Sequence, residues 1–355
     1  MATFSVGSQE FSSIRGFHSY LAGDDVDFDE DLYILVGLTQ YSESELMSIF
    51  EGRGYEVISD HGVVTKLGYE HNDVEVQFYL HYGEENGVVL LYSDMRRGDD
   101  LKPTIERFLE NHKGIHYLYV SPRLFRRIRE DILTQHDVVQ ITKFVADRTE
   151  DSDYPCQIRA DYSRTITYHG DDGLKSLREM ERNYGVRPKN LTFNIPNTSK
   201  FRVIRRGVFA VSSGELEIPF RYIQMCIEET LPVLEAHEDS SFEMMPASDT
   251  VSVPSSEPAT VELSSKLQYH EMDNLTDLMG EQDYVVINSF AREGSLYFST
   301  KVIDKKKEDV FKLKATEDEI HVFPQDEEKD LGSFYRFYEF IQDNVDQNAD
   351  VKSPA

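Results

Sequence analysis

The sequence predicts an α+β protein in which helices pack on antiparallel sheets, in more than one folded part. Three observations carry this. Short runs alternate apolar and polar residues at the strand period, and turn residues separate them. Between the runs lie segments with apolar residues at helical spacing behind helix-capping residues. The aromatic supply is 21 Phe and 20 Tyr with no Trp, which suits strands.

The elements follow in order. Residues 1–30 end in the acidic run Asp24-Asp25-Val26-Asp27-Phe28-Asp29-Glu30-Asp31 and read as a flexible acidic arm. Leu32–Val36 is an apolar run of strand length. Ser42-Glu43-Ser44-Glu45 is a capping box, with Leu46, Ile49 and Phe50 inward and Gly54 closing the helix. Val74, Val76, Phe78, Leu80 and Tyr82 alternate. Asn86-Gly87 then turns the chain into Val88–Tyr92. A second helix opens at Asp99 or Asp100, carries Leu101, Ile105, Phe108 and Leu109, and ends at Gly114.

A β-α-β insertion follows at 115–145. Ile115–Val120 is its first strand. Ser121-Pro122 starts a helix with Leu124, Ile128 and Ile132 inside, and Val138–Val145 returns. Gln157–Tyr162 is the next expected strand. Asp172 is expected to cap a helix that Gly185 closes. Three strands (Leu191–Ile195, Phe201–Ile204, Val208–Val211) and a helix through Ile223, Ile227, Leu231 and Leu234 complete a second block.

Residues 237–262 are rich in Ser, Pro and Glu and lack periodicity, so they read as a disordered linker. A smaller C-terminal α+β unit covers 263–345. Its strands are expected near 284–290, 295–303, 310–313 and 320–323. A closing helix carries Phe334, Phe337, Tyr338 and Ile341. Residues 346–355 read as a polar tail. The domain boundaries are therefore 1–30, 31–236, 237–262, 263–345 and 346–355.

The order β-α-β-β-β-α thus recurs three times, which suggests an internal repeat. It resembles the element order of one lobe of the TATA-binding-protein fold, in which helices grip a curved antiparallel sheet. The resemblance lies in the order alone. It carries no functional residue over.

The formal net charge is −28. A dense carboxylate surface is one that a salt-rich cytoplasm favours, and an ordinary acidic protein is the alternative. Cys156 and Cys226 are far apart and imply neither a CxxC site nor a disulfide framework. The N-terminus lacks the basic and apolar regions of a secretory signal, and no run approaches 18 apolar residues. A cytoplasmic protein with no membrane partner is expected.

The charge is uneven. Residues 95–210 hold 22 Lys and Arg against 16 Asp and Glu, a balance of +6, while the remainder holds 15 against 49, or −34. Two tight groups stand out. Arg123, Arg126, Arg127 and Arg129 lie on the insertion helix, and Lys200, Arg202, Arg205 and Arg206 lie on or beside a strand. Arg suits bidentate phosphate contacts. Pairing with local carboxylates, Arg126 with Glu130 and Arg127 with Asp131, is the structural alternative.

No HxH, HExxH, paired CxxC, Gly-x-Ser-x-Gly or phosphate-loop pattern occurs. His169 with Asp171 and Asp172 is the best local metal cluster, and a helix N-terminus explains its carboxylates equally well. Asp73 and Glu75 place two carboxylates on one strand face without the Lys a nuclease needs. No cofactor or metal is expected. The reading is a non-catalytic adaptor or regulator that binds nucleic acid or an acidic protein through its basic middle. The alternative is an enzyme, conceivably acting on nucleic acid, with its site formed between units.

Overall fold

The computed structural model describes residues 3–23, 26, 28–83, 87–148, 163–248, 251–292 and 297–352. They form helices and antiparallel sheets, the expected α+β class. The order is α1 (Ile14–Leu21), β1 (Leu32–Thr39), α2 (Glu43–Gly52), β2 (Glu56–Asp60), β3 (Thr65–His71), β4 (Val74–Gly83) and β5 (Val88–Ser93). A π-helical stretch, Arg97–Glu106, runs into α3 (Arg107–Asn111). Then come β6 (Ile115–Tyr117), α4 (Pro122–Gln135), β7 (Gln140–Arg148), β8 (Arg164–His169), α5 (Gly173–Tyr184), β9 (Arg187–Ile195), β10 (Ser199–Ile204), β11 (Val208–Gly214) and α6 (Glu217–Asp239). The chain continues through β12 (Ser241–Ser248), β13 (Val251–Glu257), β14 (Ala259–Glu262), α7 (Tyr269–Glu281), β15 (Tyr284–Arg292), β16 (Tyr297–Asp304), β17 (Asp309–Ala315), β18 (Glu319–Pro324), α8 (Leu331–Asn344) and β19 (Asp350–Val351). Two compact units divide it. The first comprises 1–38, 42–107 and 117–227; the second comprises 39–41, 108–116 and 228–355. The division falls inside α6, not in the expected linker.

In the first unit one sheet runs β2-β3-β4-β5-β1-β11-β10-β9-β7-β8. β1 is buried along its whole length, as its unbroken apolar run requires. Ile34 faces Tyr92 on β5 and Phe209 on β11. The expected mobile arm is instead packed. Phe4, Val6, Phe11, Phe17 and Leu21 are buried. Ser13 caps α1 at Gly16 N–H, and Phe17 packs edge-on against Tyr92 at 5.1 Å between centroids. The Asp94 carboxylate accepts from the Thr3 hydroxyl and the Phe4 N–H, each at 2.8 Å. The acidic run drew attention away from this apolar set; its Asp24, Asp25 and Asp27 lie outside the described residues.

The Ser42–Glu45 capping box is present. Asn72 and Asp73 both have positive φ, the signature of a tight hairpin turn. Asp73 therefore sits in a turn and does not share a strand face with Glu75. Asn86, Cys156 and the strand expected at 157–162 lie outside the described residues. Cys226 is buried.

The three-fold repeat is corrected. β1-α2-β2-β3-β4-β5 and β14-α7-β15-β16-β17-β18 follow one path, a strand and a helix followed by a four-strand meander whose last strand returns beside the first. The middle passage differs. β7 and β8 precede α5, and β7 lies between β8 and β9. β7 is an interior strand, not the end of an insertion. Asp172 stands at the start of α5, but its side chain makes no capping bond; it accepts from the Tyr168 hydroxyl instead.

In the second unit the sheet runs β15-β16-β17-β18-β14-β19. The expected linker is ordered: β12 and β13 form an antiparallel ribbon, and β14 joins the sheet. Pro246 and Pro254 fit because each strand of a two-stranded ribbon keeps one free edge. The expected tail is docked through β19, which pairs with β14. Phe334, Tyr335, Phe337, Tyr338 and Phe340 on α8 are all buried, so the core takes Tyr335 and Phe340 as well as the inward stripe.

Two lysines, Lys307 buried and Lys329 half-buried, close helix ends in this unit. Lys307 Nζ donates to the carbonyls of His112 and Ile115 at 2.7 Å and of Leu109 at 3.5 Å, satisfying the acceptors that a helix C-terminus leaves open. Burial pushes its pKa down to about 8. Lys329 Nζ donates to the carbonyls of His237, Glu238 and Ser240 at 2.5–2.6 Å after α6. Asp330 accepts from Gly114 N–H at 3.1 Å and caps α8 at Ser333 N–H at 2.9 Å. Beside it, His237, Asp309, Lys329 and Phe334 line a cavity of about 20 Å³, room for a single water. The His237 Nε2 has no hydrogen-bond partner.

Lys307→Met should lower the stability of the second unit by roughly 3 kcal/mol, because three carbonyls lose a charged donor. Urea unfolding of the full chain checks this, and an unchanged midpoint contradicts it. Burial lowers His237 from 6.5 to about 3 and raises Asp309 from 3.8 to about 6. Between pH 3 and 6.5 the unfolded chain takes a proton that folded His237 refuses, so stability falls as pH drops through that window. Between pH 4 and 6 folded Asp309 keeps a proton that the unfolded chain has lost, so its contribution falls as pH rises. Asp309→Asn should therefore stabilise at pH 7.5, by up to roughly 3 kcal/mol, and by little at pH 4. Urea midpoints at the two pH values separate these outcomes.

Candidate polyanion-binding face

The strands β10, β9, β7 and β8 of the first unit share a face with a distinct composition. On β9, Leu191, Phe193 and Ile195 are buried, while Asn190, Thr192 and Asn194 point the other way and are half-buried. The apolar side receives helices: Phe201 stacks on Tyr222 of α6, and the Tyr222 hydroxyl donates to Asp131 of α4 at 3.0 Å.

The opposite side is polar. Arg202, Thr192, Lys143 and His169 stand in register across the four strands. The next row is Lys200, Asn194 and Gln140, in which Asn194 Nδ2 donates to Gln140 Oε1 at 2.8 Å. A bulge between Ile141 and Lys143 brings Lys143 into the first row. Two residues apart on a regular strand, both would share a face. The extra residue, Thr142, leaves Ile141 and Phe144 in the core and turns Lys143 outward.

The eight predicted residues do not form one patch. Arg129 is buried and pairs with Glu181 at 2.7 Å and Glu130 at 3.5 Å. Arg123 is half-buried on α4, and Arg126 and Arg127 are exposed there, on the helix layer of the sheet. Lys200 and Arg202 flank Phe201 and occupy the other layer. Asp131 on α4 pairs with Arg221 at 3.1 Å. Arg205 and Arg206 lie in the turn after β10, over the rings of Tyr119 and Tyr117 at 5.5 and 5.3 Å. Gly207 completes that turn with positive φ, so close to the Leu118 carbonyl that a Cβ would meet it at 2.6 Å.

Lys200 is exposed. Arg202 is one-quarter exposed, with Asp31 Oδ2 at 3.7 Å. Burial first, then the Asp31 charge, raises the Tyr33 pKa, and Arg202 opposes this. Sequence reasoning missed Lys143, Thr192, Asn194 and Gln140, and weighed His169 only as a metal ligand. The alternation Leu-Thr-Phe-Asn-Ile on β9 was a visible signal for two of them. Among the described residues no group of three or more His, Cys, Asp or Glu is placed to hold a metal ion.

No helix among the described residues is long and apolar enough to cross a membrane. The family model described as "AF_0896_M, family middle domain" matches residues 125–206, a stretch that contains the whole polar face. An uncharacterized protein of Archaeoglobus fulgidus is 22% identical over 326 residues, covering 87% of this chain and 86% of that protein. No solved structure matches, so the likeness to a TATA-binding-protein lobe rests on element order alone.

Proposed function

We propose that this chain is a non-catalytic adaptor or regulator that binds the backbone of nucleic acid through the β10-β9-β7-β8 face. The row Arg202–Thr192–Lys143–His169 carries the reading. Two cations and an imidazole stand in line with a hydroxyl between them, and Lys200, Asn194 and Gln140 lie beside them. Cations with neutral hydrogen-bonding neighbours suit phosphate oxygens. The imidazole of His169, at the end of the first row, is the one ring in either row, so successive bases gain no stacking platform there, and recognition is by backbone and not by sequence.

The partner must overcome the overall charge of −28, so affinity depends on local contacts and is steeply reduced by salt. Lys143, Lys200 and Arg202 together predict a slope of log K against log salt of about −2 to −3 with duplex DNA. Lys143→Ala with Lys200→Ala should weaken binding at low salt about tenfold and flatten that slope by about 2. Fluorescence anisotropy across a salt series measures both. Absence of duplex binding at low salt overturns the reading. Tighter binding of polyglutamate than of DNA would move the partner to an acidic protein.

A further inference from the structure

The second unit carries an open sheet face of different composition. On β16, β17 and β18 the inward residues Val302, Phe311, Leu313, Ile320 and Val322 are buried, on the side where α8 packs: Phe311 lies 5.4 Å from Phe337. The outward residues form two rows across four strands. One is Ile287, Lys301, Lys312 and Phe323; the other is Phe290, Ser299, Lys314 and His321.

Three features of these rows call for a ligand. Lys301 stands directly opposite Lys312, and like charges at such positions repel. Among the described residues none of Lys301, Lys312 and Lys314 pairs with a carboxylate, in a chain with 65 Asp and Glu. Aromatic rings stand among the lysines. Phe290 is 56% exposed, Phe323 is half-exposed, and Lys314 Nζ lies 4.6 Å from the Phe323 ring centroid.

We infer that this face is a second binding site, and that its ligand is single-stranded nucleic acid. The lysines suit phosphates, and the accessible rings of Phe290 and Phe323 suit the faces of unpaired bases, which a duplex withholds. An acidic peptide would satisfy the lysines but would leave both rings without a planar partner. The two faces thus divide by chemistry: the first has cations and a single imidazole, the second cations with two accessible phenyl rings.

The experiment uses the full chain, a fluorescent single-stranded oligouridylate and anisotropy at low salt. Lys312→Gln with Lys314→Gln should weaken binding about tenfold. Phe323→Leu and Phe290→Leu, which keep the apolar bulk, should each weaken it about fivefold or more. Unlabelled duplex DNA in excess, which occupies the proposed first face, should leave single-strand binding within about twofold, which separates this site from that face. Lys312→Gln should also unfold no earlier than the parent chain, because it removes the repulsion from Lys301; this guards against loss through misfolding. Absence of single-strand binding, or binding indifferent to both lysine and phenylalanine changes, overturns the inference. Loss on the lysine variant alone, with polyglutamate competing as well as the oligonucleotide, overturns it in favour of an acidic peptide.

Discussion

Side chains on a strand alternate between two faces, and a helix can cover only one of them. That constraint organises both units. Where helices lie on both sides, as at β4, where Phe17 of α1 reaches Tyr79 and Phe50 of α2 reaches Phe78, the strand carries a continuous apolar run. Where they lie on one side, the other must be made of residues that tolerate water. β9 and β10 in the first unit and β16 to β18 in the second are of that kind. Their outward residues are the chain's main freedom to vary without loss of core, and both sets carry cations.

Departures from strict alternation are where the sheet is tuned. The bulge at Thr142 reverses the phase of β7 midway, so one strand contributes Ile141 and Phe144 to the core and Lys143 to the polar row. In the second unit the tuning is polar and buried. Lys307 and Lys329 each hold the carbonyls that follow a helix, and Asp330 holds both the Gly114 amide and the first turn of α8. These contacts replace backbone partners that no strand could supply. Removing one would leave buried acceptors without a donor, which costs more than the bonds themselves contribute.

The alternation and the caps were legible in the sequence. β1, the Ser42–Glu45 capping box, the Ser121-Pro122 helix start and the meander of the second unit were all marked by local patterns. What was not legible depends on partners distant in sequence. Arg164–His169 is half polar and looks unlike a strand until β7 lies beside it. The ribbon at 241–257 was hidden by Ser and Pro, which an edge-only pairing tolerates. The N-terminal residues looked like an arm because eight residues of acidic run outweighed five scattered apolar ones that Tyr79, Tyr92 and Asp94 tie down. Register was the largest gap. The alternation Phe-Lys-Leu-Lys-Ala at 311–315 was in plain view, but nothing local sets Lys312 against Lys301. Charge counted along the chain pointed to 95–210 and passed over three lysines set in an acidic stretch.

That last omission bears on how an acidic protein keeps any basic surface at all. With so large an excess of carboxylates, cations readily find a partner: Arg129 takes Glu181, Arg221 takes Asp131, and Lys352 takes Glu319. A cation stays available only if the fold keeps carboxylates from its neighbouring positions. The sheet does so by register. Across from Lys143 stand Thr192 and His169; across from Lys200 stand Asn194 and Ser213; across from Lys314 stand Ser299 and His321. None is acidic. Surface ion pairs are weak, of order 1 kcal/mol or less, so a polyanion could displace one such as Asp31 from Arg202. But where no carboxylate is within reach there is nothing to displace, and the cations retain their full affinity for an external anion. Cross-strand neutrality, more than the number of basic residues, is what sets these faces apart from the rest of the surface.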